Sequence, residues 1–181
     1  MKREKVEHIL RAAGRITGKR QFVLIGSAAI VAWREVVPPE LAMSRDIDLF
    51  AYDAPDVDEI SDQLDGALGQ ASQFDQTFGY YCDGVGPETA IMPSDWRDRA
   101  IEFSNSNTEG VAAVVPEPND IALSKLCAWR PKDVAWLRAA MANLIVDSDV
   151  MRARLERMPS GGPDLGDLSA RIDVLCRPPT A

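Results

Sequence analysis

Histidine is nearly missing from this sequence, with His8 its only example. A Ser/His/Asp triad or a histidine-based metal site therefore has too little to be built from. Cysteine is scarce as well. Cys82, Cys127 and Cys176 are odd in number and widely spaced, which argues against a disulfide framework or a zinc site. They read as reduced thiols of a cytoplasmic protein. No run of about 18 apolar residues occurs, so no membrane-spanning helix is expected. The opening Met-Lys-Arg-Glu-Lys-Val-Glu-His lacks the apolar stretch of a signal peptide. Internal repeats and low-complexity segments are also missing.

What remains is an ordinary globular composition. The chain has 181 residues, 46% apolar and 27% charged, enough for one domain with a proper core. The net charge of −8 is spread unevenly. Residues 1–20 hold seven Lys or Arg against Glu4 and Glu7, a net of +5, so the remainder carries −13. An acidic body opposes indiscriminate binding to nucleic acid. The basic first helix could still meet a phosphate backbone, and the competing reading is a solvated helix face.

The chain is organised around Gln21 to Tyr52. Phe22 to Ile25 is a short apolar run ending at Gly26, which suits a buried strand. Good helix formers follow from Ala28 to Arg34, placing Gly26 and Ser27 at a strand-to-helix turn. Such a turn presents free backbone N–H groups and a positive helix end, a natural anion site. Asp46 and Asp48 then flank Ile47 on a second strand. Alternation points both carboxylates one way, while Ile47 and Leu49 face the core. Paired oxygen ligands of this kind suit Mg²⁺, or Mn²⁺, bound together with substrate phosphates. A phosphate turn beside paired carboxylates outlines a phosphoryl- or nucleotidyl-transfer site.

The remaining elements follow from periodicity. Val6, Ile9, Leu10, Ala13 and Ile16 predict an amphipathic helix over 4–17, stopped at Gly18. A helix opening at Asp53-Ala54-Pro55 has Val57, Ile60, Leu64 and Leu68 as its inner face, with Gly69 at its end. Phe78 to Val85 reads as a strand, and Thr89 to Met92 as its hairpin partner. Pro93 to Arg99 reads as a helical turn or loop. Strands are expected at Ile101–Phe103 and Val111–Val115. Helices are expected at Ile121–Trp129 with Asn119 or Asp120 as cap, at Lys132–Val146 after Pro131, at Ser148–Met158 and at Leu165–Cys176. A proline-rich tail closes the chain and is expected to fray.

Gly26-Ser27 followed by Asp46-Ile47-Asp48 resembles the signature of the nucleotidyltransferase fold of the DNA polymerase beta superfamily. Eighteen residues separate Ser27 from Asp46, room for a helix and the Val36-Val37-Pro38-Pro39 turn. A second stretch, Asp120-Ile121-Ala122-Leu123-Ser124-Lys125-Leu126 followed by Arg130-Pro131-Lys132-Asp133, is similar to a C-terminal motif of bacterial nucleotidyltransferases related to abortive-infection (AbiEii-like) toxins. The Gly79 to Val85 and Trp96 to Arg99 segments also fit that group. The resemblance spans about Phe22 to Leu144. It implies an α+β fold, a mixed β-sheet flanked by helices with a C-terminal helical segment. The expected division is a nucleotidyltransferase core over 1–118 and a helical segment over 119–181, packed as one compact unit.

The resemblance also implies roles. Lys125 would contact the nucleotide phosphates, with Lys132 nearby, and Asp133 would help position the nucleotide. Residue chemistry alone leaves Lys125 open to a snorkelling surface lysine and Asp133 to a first-turn carboxylate favoured by the helix dipole. A third metal carboxylate is common in that superfamily; Asp83 is the candidate, with Glu102 close behind. The implied activity is Mg²⁺-dependent transfer of a nucleoside monophosphate from an NTP to an acceptor hydroxyl. The acceptor would be tRNA, another RNA or a protein, and a cognate antitoxin is an expected partner. The competing readings are a non-catalytic nucleotide-binding or toxin–antitoxin module and an aminoglycoside-type adenylyltransferase.

Overall fold

Val6, Ile9, Leu10 and Ala13 are buried along one side of the first helix, α1 (Arg3–Thr17), which ends at Gly18 as the spacing predicts. The computed structural model describes residues 1–177; the proline-rich tail from 178 onward lies outside the described residues. Contacts divide the chain into two compact units. One comprises Met1–Thr89 and Ala100–Pro116. The other comprises Ala90–Arg99 and the chain from Glu117 on.

The first unit contains the sheet. Its strands are β1 (Gln21–Ile25), β2 (Asp46–Ala51), β3 (Tyr81–Gly84), β4 (Ile101–Phe103) and β5 (Ala112–Val115), in the order β3-β2-β1-β5-β4. β1 runs antiparallel to β2 and parallel to β5, β2 runs parallel to β3, and β4 runs antiparallel to β5. The sheet is therefore mixed, and the α+β class is as expected. The central strand β1 is buried along Phe22–Ile25, which is why it reads as an uninterrupted apolar run. A 3₁₀ turn (Ser27–Ala29) and α2 (Ile30–Trp33) follow it. The helix α3 (Val57–Leu68) buries Ile60, Leu64 and Leu68 and packs on β2 and β3. Within the second unit are α5 (Pro118–Ala128), α6 (Pro131–Ala142), α7 (Ser148–Arg154) and α8 (Leu165–Cys176). Among the described residues no helix is long and apolar enough to cross a membrane.

Three local expectations are corrected. The strand expected from Phe78 to Val85 is first a helix, α4 (Gln73–Phe78), and β3 starts only at Tyr81. Ser72 caps that helix by accepting from the Asp75 N–H, and Phe74 and Phe78 meet one turn apart, so helical pairing uses Phe78, the residue with which the expected strand begins. Thr89–Met92 is no hairpin partner: Pro87–Thr89 form a 3₁₀ turn, and β3 pairs in parallel with β2 instead. The cap of α5 is Glu117, whose carboxylate accepts from the Asn119 N–H, not Asn119 or Asp120. Pro118 explains the shift, because a proline with no N–H and a preset φ is suited to the first helical position.

Candidate functional site

Alternation along β2 buries Ile47 and Leu49 and leaves Asp46 and Asp48 half-buried on the opposite face. Parallel pairing then sets Tyr81 beside Asp46 and Asp83 beside Asp48. One carboxylate oxygen from each of Asp46, Asp48 and Asp83 lies within 4.8 Å of the others. The strand carrying Asp83 is held from behind by α3. The Gly84 N–H donates to Asp65 Oδ1 at 2.7 Å, and Ser61 Oγ donates to the Val85 carbonyl at 2.9 Å. Gly84 permits this approach, since a Cβ there would lie 2.2 Å from the Ser61 carbonyl oxygen. Glu102 is excluded from the group. Its register through Val114 and Val23 puts it on the same face as Asp48, but on β4, three strands from β2, roughly 14 Å away.

Gly26 completes the arrangement. Ile25 pairs with Asp48, so the chain leaves β1 alongside that carboxylate. Gly26 has φ 72° and ψ −161°, a region reserved almost wholly for glycine. A Cβ built on it would sit 2.0 Å from Asp48 Oδ2. Ser27, at the next position, opens the 3₁₀ turn. Glycine is thus required here both by backbone conformation and by the carboxylate itself, a contact that the sequence does not reveal.

Three carboxylates so close create a strongly negative locus. Two full charges 4.8 Å apart repel by ~3 kcal/mol at an effective dielectric of 20. A cation among them removes that cost. Neighbouring groups register the same field. The Cys82 thiol, buried behind the site, is pushed well up by burial and by Asp48, Asp83 and Asp65, so it stays protonated and is no nucleophile. The Tyr81 phenol is raised by burial and by Asp46 and Asp83. The donor set consists of hard carboxylate oxygens without sulfur or imidazole, which matches Mg²⁺ or Mn²⁺.

In the helical unit Asp133 is fully buried at the first turn of α6. Arg130 Nε donates to Asp133 Oδ2 at 2.6 Å, and the Arg130 backbone N–H donates to the same oxygen at 3.3 Å. Lys125 Nζ donates to Oδ1 at 3.4 Å. Burial alone would raise this carboxyl, but the Arg130 hydrogen bond and the charges of Lys125 and Arg130 prevail and hold it below the usual carboxylate range. Lys125 is only 8% exposed and lies 5.0 Å from the Trp136 ring centroid, so it is not a surface lysine. Lys132 is exposed beside them. Lys125 and Asp133, paired by sequence motif, are thus paired in space.

The sequence reading missed a second buried carboxylate. Asp120 is fully buried and accepts from Arg99 Nε at 3.0 Å and Arg154 Nη1 at 2.9 Å. Arg99 also bridges to Asp95 at 2.8 Å, which ties the 90–99 segment to α5. The signal was available in the acid opening an otherwise apolar helix. His8 lies apart from the carboxylate group, with Nδ1 2.7 Å from the Tyr80 hydroxyl. Burial, then Arg11, holds its imidazole below the ordinary value.

Comparison with known proteins adds one result. A family model described as "Nucleotidyltransferase of unknown function (DUF6036)" matches residues 4–160. No curated protein and no solved structure matches the chain.

Proposed function

The chain belongs to the DUF6036 family of nucleotidyltransferases, and from that premise we propose that it transfers a nucleoside monophosphate from an NTP to an acceptor hydroxyl. The observation that carries the proposal is the convergence of Asp46, Asp48 and Asp83 next to Gly26. Those three carboxylates would hold Mg²⁺. The bound ion would supply neutralisation of triphosphate charge and activation of the attacking oxygen.

The chain's own contribution is placement. Gly26 and Ser27 offer backbone without bulk where phosphate must approach, and the turn that follows presents its first N–H groups. The acceptor oxygen bonds to the α-phosphorus, the α–β anhydride bond breaks, pyrophosphate leaves, and the hydroxyl proton passes to a carboxylate oxygen or to water. Lys125 is the proposed contact for the β- and γ-phosphates, with Asp133 fixing it and Lys132 adding charge. Asp133 and Trp136 support this by holding the ammonium in a single setting.

The likeness of the Asp120–Leu126 and Arg130–Asp133 stretches to AbiEii-like toxins is the ground for the finer part of the reading, a toxin paired with an antitoxin. The free thiols and the need for NTP support a cytoplasmic setting. The test is pyrophosphate release from each NTP with Mg²⁺, for the parent and for Asp46→Asn, Asp48→Asn and Asp83→Asn. Release that survives all three substitutions removes the carboxylate site from the reaction.

A further inference from the structure

Tyr81 shares the face of the three carboxylates. It is the register partner of Asp46 and stands two residues before Asp83 on β3. Register partners on parallel strands point the same way, as do residues two apart on one strand. The phenol therefore rises from the side that carries Asp46, Asp48 and Asp83. It feels the charges of Asp46 and Asp83, and those of Arg45 and Asp75. Arg45 pins the chain at this point. Its carbonyl accepts from the Tyr81 N–H at 3.2 Å, and its guanidinium donates to the Gly79 carbonyl at 3.0 Å and to Asp75 at 2.8 Å. Tyr81 is half-buried, on a strand that is an edge of the sheet among the described residues. A tyrosine hydroxyl also reaches farther from its strand than an aspartate carboxylate does, toward the space the proposed phosphates must enter. Neighbouring hydroxyls are otherwise engaged. Ser44 Oγ donates to the Asp46 carbonyl at 3.4 Å, and the Tyr80 hydroxyl lies 2.7 Å from His8 Nδ1.

We propose that Tyr81 is a modification site of the chain itself, its phenol serving as an acceptor hydroxyl for the nucleoside monophosphate. The inference rests on the transfer reaction proposed above. The Tyr81 oxygen bonds to the α-phosphorus of an NTP, and the α–β anhydride bond breaks. Pyrophosphate leaves, and the phenolic proton passes to water or to a carboxylate oxygen. The product is a phosphodiester between the tyrosine and the nucleoside. An acceptor fixed on the chain needs no encounter with a second molecule, an advantage that no dissolved hydroxyl shares. Each chain has a single Tyr81, so the reaction on itself ends after one turnover.

The experiment incubates the full chain with Mg²⁺ and each NTP in turn, with no added acceptor. Intact mass, peptide mapping and pyrophosphate are read together. The peptide containing Tyr81 should gain one nucleoside monophosphate, with a single pyrophosphate released per chain. Tyr81→Phe keeps the ring but lacks the oxygen, so it should stay unlabelled; melting confirms that it folds. A second readout needs no turnover. N-acetylimidazole should acetylate the Tyr81 phenol in EDTA. Mg²⁺ with α,β-methylene ATP, at a concentration where calorimetry shows it bound, should slow that acetylation severalfold. Label on Tyr81 that Tyr81→Phe lacks supports the proposal. Pyrophosphate released with no nucleotide on the chain overturns it and leaves the transfer reaction standing. So does label that persists in Tyr81→Phe, or acetylation indifferent to the bound analogue. Absence of both label and pyrophosphate overturns it too, and the transfer reaction falls with it only if release is also absent when RNA and protein acceptors are added.

Discussion

Gly26→Ala is the sharpest perturbation the site allows. The alanine must hold φ 72° and ψ −161° while its Cβ overlaps Asp48 Oδ2 at 2.0 Å. The backbone term alone is about 1–3 kcal/mol. Displacing Asp48 from its rotamer adds about 0.5–1.5 kcal/mol. A total of about 2–4 kcal/mol in a chain of 181 residues lowers Tm by about 5–15 °C. The sequence alone points to a backbone that must approach a triphosphate, and from that a small change in stability would follow. The contact with Asp48 requires a larger one and ties it to the carboxylate. Scanning calorimetry with and without Mg²⁺ measures both effects. In an Asp48→Ala background, the overlap term should vanish and only the backbone term should remain, a coupling of about 0.5–1.5 kcal/mol. A Tm within a degree of the parent, or full additivity of the two substitutions, would refute the argument.

Three further outcomes follow from the same geometry. Asp83→Asn should raise Tm in EDTA at low salt, because it removes like-charge repulsion, and should abolish the rise on adding Mg²⁺; melting curves in both buffers decide it. Lys125→Met keeps apolar volume over Trp136 but takes one of the two cations described on Asp133, leaving Arg130, so stability should fall by about 1–3 kcal/mol in urea. The proposed phosphate contact further requires a loss of about tenfold or more in ATP affinity with AMP unchanged, and equal losses for both nucleotides confine Lys125 to packing. Asp133 is held below the usual carboxylate range in the fold, so the unfolded chain takes up its proton first as pH falls. Its stabilisation is complete above about pH 4 and is lost at lower pH, and Asp133→Asn should flatten that acid limb of the stability profile.

The parts of the fold that were legible rest on periodicity. β1 and β2 could be read because burial on both faces gives an apolar run and burial on one gives alternation. α1 and α3 announced themselves by their apolar faces and terminal residues. The helix over residues 73–78 has no signature in the sequence, and Phe78 reads as part of a strand, because Phe74 and Phe78 are exposed or half-buried on a short helix, where no core face imposes a period. Asp46 and Asp48 could be paired from spacing alone. Asp83 needed the parallel register of β3 with β2, a non-local fact, and the strand order, which puts β4 three strands from β2, is what sets Glu102 apart. The contact between Gly26 and Asp48 depends on strand pairing across the sheet and has no local signature.

Asp83 is the only member of the carboxylate group on a strand with a single pairing partner, since β3 ends the strand order. The coordination number of the site is therefore a property of local folding. With β3 docked the locus offers three carboxylates; with β3 frayed it offers two. An ion that prefers three would have to bring the strand with it, and by reciprocity such an ion would hold the strand more firmly. Ligand affinity and edge order become one equilibrium seen from two ends. The side chains of α3 that grip β3, Ser61 and Asp65, would then act on the proposed ion from a distance, by setting how often Asp83 stands with the other two carboxylates.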